Sequence, residues 1–317
     1  MIPLALTLLA SAPSAQPNYE AAWEYASKFR SQAVLVMVDG KVAFERYANG
    51  GGKDEIQAMA SGSKSFCGVV AAAAATDGLI RYDERVADTF SEWKRDARKS
   101  RITVRQLLSL SSGMPVGSRG REGGERDGWE TAKGLKPVFE PGAQFAYGPN
   151  SFNIFGALME AKLKGEKWEA YLDRRINKPL GIKVLYRGKC ADGNPQLAGG
   201  GWITARDWLT FGEFVRQEGR WNGKQLIDAG LMKELYQPTK SNPAYGMSWW
   251  LGQDGELEMM SGRSRAAAEG FRMAAGAGKQ RCYIVPSAKM VIVRMGKVSL
   301  GGQGWSDQEF LETLVPH

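Results

Sequence analysis

Ser61 and Lys64 stand three residues apart in Ser61-Gly62-Ser63-Lys64. On a helix that spacing puts both side chains on one face, about 5–6 Å apart at Cβ. A serine hydroxyl becomes a useful nucleophile when a neighbour takes its proton, and a buried lysine with a lowered pKa can be that neighbour. The stretch after it, Phe66 to Ala75, carries Phe66, Val69, Val70 and Ala73 at helical spacing and is too apolar for a surface helix. Lys64 therefore opens a buried helix, with Gly78 as its stop. The start of that helix supplies free N–H donors and partial positive charge, which favour an alkoxide on Ser61 and disfavour the protonated lysine. Spacing alone suits an N-capping serine and a surface lysine equally well.

The rest of the composition narrows the chemistry. There is one histidine, His317, at the end of the chain, and chain ends are usually mobile. This argues against a Ser-His-Asp triad, a Cys-His pair, a histidine-ligated zinc and an HExxH protease, and leaves proton transfer to Lys, Tyr, Asp or Glu. The three cysteines, Cys67, Cys190 and Cys282, have no CxxC spacing. No metal or organic cofactor is implied. A Ser–Lys pair needs a second proton carrier for the leaving group. The candidate is Tyr147 in Phe145-Ala146-Tyr147-Gly148-Pro149-Asn150, because a tyrosine near ammonium groups ionises more easily and can shuttle protons. Taken alone, a tyrosine before Gly-Pro also reads as a packed turn residue.

These residues sit in a chain of 317 residues with 42 Lys+Arg, 34 Asp+Glu and 43% hydrophobic residues, a globular mix. The net charge of +8 invites a nucleic-acid reading, but the basic residues are scattered among acids with no nucleic-acid-binding motif. Residues 1–15 read as a signal peptide: Ile2 to Ala12 is nearly all apolar and small residues follow, although no basic residue precedes Lys28. That run is too short to span a bilayer, and no other apolar stretch is long enough. Export to the periplasm or medium is expected, with residues 16–317 as one domain.

Within it, Asp39-Gly40 predicts a hairpin between Ala33–Val38 and Lys41–Tyr47. Thr103 with Gln106 predicts a capping box, and residues 117–134 read as a long exposed loop. Asn153 to Lys164 reads as a helix closed by Gly165, and Thr204 caps another with Trp208, Phe211 and Val215 inward. Strands return at Gln280–Val285 and Met290–Met295, followed by an amphipathic helix with Phe310, Leu311 and Leu314 inward. The expected fold is α/β of the α+β type. One antiparallel sheet from both chain ends (about 20–85 and 235–317) is flanked by helices, and a helical part fills about 86–234.

Several of these motifs, in order, resemble the serine β-lactamase and penicillin-binding-protein family, in particular its class C-like esterase and amidohydrolase branch. Ser61 to Phe66 is similar to the nucleophile motif, Ile102 to Met114 to the central helix and turn, and Pro141 to Tyr147 to the tyrosine motif. Gly199 to Asp207 and Trp221 to Lys224 are similar to later landmarks. The resemblance covers about residues 25 to 315. It implies a β-lactamase/transpeptidase-like fold, Ser61 as the acylated nucleophile, Lys64 and Tyr147 as the proton-transfer pair, and an oxyanion hole from the backbone N–H groups of Ser61 and Gln280. It departs from the family at two places. Tyr-x-Asn is replaced by Tyr147-Gly148-Pro149, with Asn150 one place late as the substitute substrate contact. The third motif aligns with Ala277-Gly278-Lys279, where the usual cation is missing; Gly278 and Lys279 remain as substrate-binding residues. If this motif lies on a strand, Lys279 shares a face with Ala277 one pleat along. The implied substrate is a small ester or amide, peptidoglycan-like amides included, with β-lactam turnover in doubt. The other reading is a non-catalytic cell-wall or penicillin-recognising binding protein that keeps the scaffold. Oligomeric state is left open.

Overall fold

The computed structural model describes residues 16–117, 127–252, 270–297 and 304–315. Helix α1 (Tyr19–Ser27) is capped by Asn18, whose side chain accepts the Ala21 N–H. Strands β1 (Ser31–Val38) and β2 (Lys41–Tyr47) form the expected hairpin. Its turn has φ of 47° at Asp39 and 78° at Gly40, the pair of positive angles that a right-twisted two-residue hairpin requires. After β3 (Ile56–Ala58) comes a 3₁₀ turn, Ala60–Ser63, and then α2 (Lys64–Thr76). Every residue of α2 from Lys64 to Ala74 is buried. The helix ends at Gly78, with φ of 73°, as its sequence requires.

The middle of the chain is mostly helical. Helix α3 (Val104–Leu108) carries the complete Thr103–Gln106 capping box. Helices α4 (Trp129–Gly134), α5 (Asn150–Leu163), α6 (Trp168–Leu172) and α7 (Lys178–Leu180) follow. Next come β4 (Leu185–Tyr186), β5 (Gly201–Thr204), α8 (Ala205–Arg216), the β6 (Arg220–Trp221)–β7 (Lys224–Gln225) hairpin and α9 (Ala229–Glu234). The chain then returns to strands β8 (Trp250–Leu251), β9 (Arg272–Gly276), β10 (Gln280–Val285) and β11 (Met290–Gly296), and α10 (Asp307–Glu312) follows.

The loop expected over 117–134 needs correction. Residues 118–126 lie outside the described residues, but Trp129–Gly134 is helix α4. Trp129 is buried, and its indole N–H donates to Pro195 O at 3.1 Å. Gly156 on α5 makes room for it, since a Cβ there would sit 2.6 Å from the Trp129 ring. One aromatic side chain draws a charged, glycine-rich segment onto the core, which composition alone hides. Helix α5 also starts at Asn150, three residues before the expected Asn153.

The described strands make a six-stranded sheet in the order β2-β1-β11-β10-β9-β8, antiparallel throughout. Both ends of the chain build it, as expected: β1 pairs with β11, with Val36 opposite Ile292. Helix α8 lies close over the sheet at Gly212, where a Cβ would be 2.5 Å from Val291 Cγ1. Trp208, Phe211 and Val215 of α8 are buried, and Phe211 stacks on Phe66 of α2 at 3.8 Å. The small sheet β3-β5-β4 flanks the start of α2. Among the described residues no helix is long and apolar enough to cross a membrane.

Candidate active site

Ser61 lies in the 3₁₀ turn that joins β3 to α2. The turn is fixed from several sides. Ser63 Oγ donates to Ala60 O at 2.6 Å and accepts the Gly201 N–H at 3.0 Å, while Met59 N–H donates to Gly201 O at 3.0 Å. Gly62 leaves space for Trp208, whose ring would be 2.9 Å from a Cβ at that position. Ala60, next to the serine, has φ of 47°, a left-handed conformation that costs a residue with a Cβ about 1–2 kcal/mol. The surroundings impose this geometry on the residue before Ser61. Ser61 is not an N-cap: that position belongs to Ser63, which makes no side-chain capping bond.

Lys64 is the first residue of α2 and only 5% exposed, so it is not a surface lysine. Its Nζ donates to Ser61 Oγ at 3.1 Å and to Ala198 O at 2.6 Å. Among the described residues it has no carboxylate within ion-pair distance. Two aromatic faces complete its surroundings, with the Tyr147 ring centroid 4.7 Å and the Phe152 centroid 5.7 Å from Nζ. The structure thus brings Ser61, Lys64 and Tyr147 together. Tyr147 is half-buried and packs against Trp250 at 5.7 Å and Tyr245 at 6.3 Å. Burial, then the neighbouring Tyr147, push the Tyr245 phenol well above its ordinary pKa.

Asn150 is fully buried at the start of α5, and among the described residues neither amide atom has a hydrogen-bond partner. Its Oδ1 abuts Gly117, where a Cβ would lie 2.4 Å away. The expected substitute amide therefore sits beneath the Val116–Gly117 segment.

The third motif differs most from the sequence reading. Ala277-Gly278-Lys279 is the turn between β9 and β10, not a strand, with φ of 72° at Gly278 and 59° at Lys279. Strand alternation does not apply there, so the face-sharing expected of Lys279 and Ala277 is withdrawn. Lys279 is half-buried, and burial, followed by the charge of Arg281, lowers its ammonium pKa. The backbone that meets the Ser61 turn is the end of β9. Among the described residues β8 pairs only with Arg272 and Met273, which leaves the edge of Ala274–Gly276 for the turn. A Cβ at Gly276 would lie 2.0 Å from Met59 O and 3.1 Å from Gly62 N. Gln280, expected to give the second oxyanion N–H, stands opposite Gly276 on β10, a strand further along the sheet. Its side chain is occupied by Gly296: Nε2 donates to Gly296 O, and Oε1 accepts the Gly296 N–H at 3.0 Å.

Three contributors were missed in the sequence. Ala198 O and Phe152 enclose the lysine, and Gly276 carries the closest backbone approach. The glycine run Gly199-Gly200-Gly201 hinted at close backbone packing without saying which carbonyl would face the lysine.

The sheet, its helical cover and the clustered Ser61, Lys64 and Tyr147 define a β-lactamase/transpeptidase-like fold. The model of the β-lactamase family matches residues 18–302, and the chain belongs to that family. Solved structures with this fold include a D-stereospecific amidohydrolase from Streptomyces sp., 17% identical with a TM-score of 0.68, covering 94% of this chain and 98% of that one. A penicillin-binding protein homologue from Caulobacter crescentus is 15% identical with a TM-score of 0.70, covering 90% and 93%. A β-lactamase from Mycobacterium bovis is 16% identical with a TM-score of 0.66, covering 93% and 100%. No curated protein matches the sequence. Several of these structural neighbours are described as hydrolases, the D-stereospecific amidohydrolase among them, which supports a hydrolase.

Proposed function

We propose that the protein is a serine hydrolase that cleaves a small ester or amide through a covalent acyl-Ser61 intermediate. The observation that carries this reading is the 3.1 Å hydrogen bond between Lys64 Nζ and Ser61 Oγ, at a lysine buried away from solvent. Lys64 takes the Ser61 proton while Oγ attacks the substrate carbonyl carbon. The negative charge that forms on the carbonyl oxygen is met by the Ser61 backbone N–H and by that of Ala277, which follows Gly276 along the edge against the nucleophile turn. Tyr147, beside Lys64, hands a proton to the departing alcohol or amine and is recharged from Lys64. Water then cleaves the acyl-enzyme by the same route in reverse.

The turn at Ala277 supports neutral substrates over carboxylates. Ala277 offers no charge, Lys279 is partly desolvated, and Arg281 is enclosed and paired with Asp307. Export is part of the proposal, on the apolar character of residues 1–15. The test is Lys64→Arg, because a guanidinium stays protonated and cannot serve as a base. A loss of about 10² or more in kcat on p-nitrophenyl acetate is expected. A rate near that of the unmodified protein would show that Lys64 acts through charge alone.

A further inference from the structure

The β9–β10 turn is held from beneath by two buried arginines on neighbouring strands. Arg281, on β10, is 1% exposed and forms a two-pronged pair with Asp307, Nε to Oδ1 at 2.8 Å and the second terminal nitrogen to Oδ2 at 3.2 Å. Its remaining terminal nitrogen donates to Gly276 O and Gln280 O, each at 3.1 Å. Arg294, on β11 opposite Arg281, is fully buried and donates to Gly278 O at 2.7 Å and Lys279 O at 3.0 Å. It is anchored by Phe29 O at 2.6 Å and Ser31 Oγ at 2.8 Å. Asp307 accepts further hydrogen bonds from Tyr283 and from the Trp305 indole N–H at 3.0 Å. Two guanidiniums therefore hold four carbonyls of one five-residue segment, 276–280. That segment begins with the glycine pressed against the Ser61 turn.

A fold needs far less to close a tight hairpin. Two consecutive positive φ residues already reverse the chain at Gly278 and Lys279, and β9 and β10 pair on their own. Burying two guanidiniums is costly unless each is paired or hydrogen-bonded throughout. Asp307 neutralises the first. Burial acts to raise its carboxyl pKa, but the adjacent Arg281 holds it below the ordinary range. Among the described residues Arg294 has no carboxylate hydrogen-bond partner, and burial pushes its pKa down to about 10. The carbonyls at Gly276 and Gln280 fix the planes of the peptides on either side of the turn. The peptide that carries Gly276 O also carries the Ala277 N–H, so a donor bonded to that oxygen sets the direction of that N–H.

We propose that Arg281, Asp307 and Arg294 are positioning residues that orient the Gly276–Ala277 peptide as an oxyanion donor toward Ser61. This rests on the reading of Ser61 as an acylated nucleophile. Arg281→Lys keeps a charge for Asp307 but cannot span the carboxylate and two carbonyls at once. Arg294→Lys applies the same test to the other half of the turn and decides the matter if the first variant does not fold. Leu172→Ala on α6, buried at 1% exposure, serves as a destabilised comparison far from the turn in sequence. For p-nitrophenyl acetate the arginine variants should lose between about 10- and 100-fold in kcat. KM should stay within twofold, and the Leu172 variant should keep its kcat at a similar loss of melting temperature. Arginine variants with kcat within twofold of the unmodified protein overturn the proposal. So does a fall that the Leu172 variant matches, or a change in KM alone. Labelling of the unmodified protein by a fluorophosphonate separates the two questions: no labelling refutes the Ser61 reading, whereas labelling with undiminished arginine variants refutes only the positioning role.

Discussion

Gly276→Ala adds one methyl group at the contact between β9 and the nucleophile turn. Gly276 has φ of −132°, an ordinary extended angle, so backbone strain plays no part and only space matters. The new Cβ would stand 2.0 Å from Met59 O, a backbone atom, whereas real Cβ atoms keep at least 3.0 Å from such neighbours. Relief therefore needs a separation of about 1 Å between β9 and the turn that holds Ser61. Overpacking of this kind costs about 1–3 kcal/mol of stability, which leaves a folded domain. A 1 Å displacement between the nucleophile and its oxyanion donor costs about 10²-fold in rate, near the penalty for losing one donor outright. The assay is kcat on p-nitrophenyl acetate beside a thermal melt, with Gly134→Ala, where a Cβ meets nothing within 4 Å, as the control. A Gly276→Ala protein that keeps more than about a third of its kcat would refute the placement of the donor edge at β9.

Three further outcomes follow from the same geometry. On one preparation, kcat/KM should be far higher for p-nitrophenyl acetate than for nitrocefin, because Ala277 itself offers no charge to the carboxylate of a β-lactam and Lys279 beside it is partly desolvated; nitrocefin turnover of about 10⁶ M⁻¹s⁻¹, within the usual enzyme range, would contradict this. Asp307 has its pKa lowered in the fold, so its stabilising contribution is full above its unfolded pKa of about 3.9 and is lost as pH falls through the folded value. Melting temperatures from pH 6 to pH 3 should accordingly fall more for the unmodified protein than for Asp307→Asn, and parallel curves would show that the pair adds nothing. In a bacterial host the protein should be recovered outside the cytoplasm and shortened by about 12 to 15 residues; N-terminal sequencing that begins at Met1 on cytoplasmic protein would overturn export.

Local rules made much of this fold legible. Asp39-Gly40, the Thr103–Gln106 box and Thr204 before α8 each act through backbone angles or hydrogen bonds within a few residues, and all appear where expected. The Ser61–Lys64 pair was legible for the same reason, since an i, i+3 spacing is a local fact. Tyr147 entered as a candidate, and the ring that confirms its place beside Lys64 lies 83 positions along the chain. The strand reading of the third motif failed, because Gly278 and Lys279 both take positive φ and reverse the chain there. Read as a strand, Ala277-Gly278-Lys279 put Lys279 on the face of Ala277 one pleat along, while the family resemblance put the Gln280 N–H at the oxyanion hole. Arg281 and Arg294 bond the carbonyls of that turn from beneath, and which carbonyls a buried guanidinium meets cannot be read from spacing. Trp129 was hidden in the same way, because its pocket is cut by Gly156 on another helix.

The central claim is that Ser61 carries the acyl group. It is tested most directly by intact mass spectrometry of the protein and of Ser61→Ala after exposure to a fluorophosphonate. The account predicts one phosphonyl adduct on the unmodified protein, mapped to the peptide containing Ser61, and none on the variant, with the two melting temperatures nearly equal. An adduct that persists on folded Ser61→Ala, or maps to another residue, would contradict it.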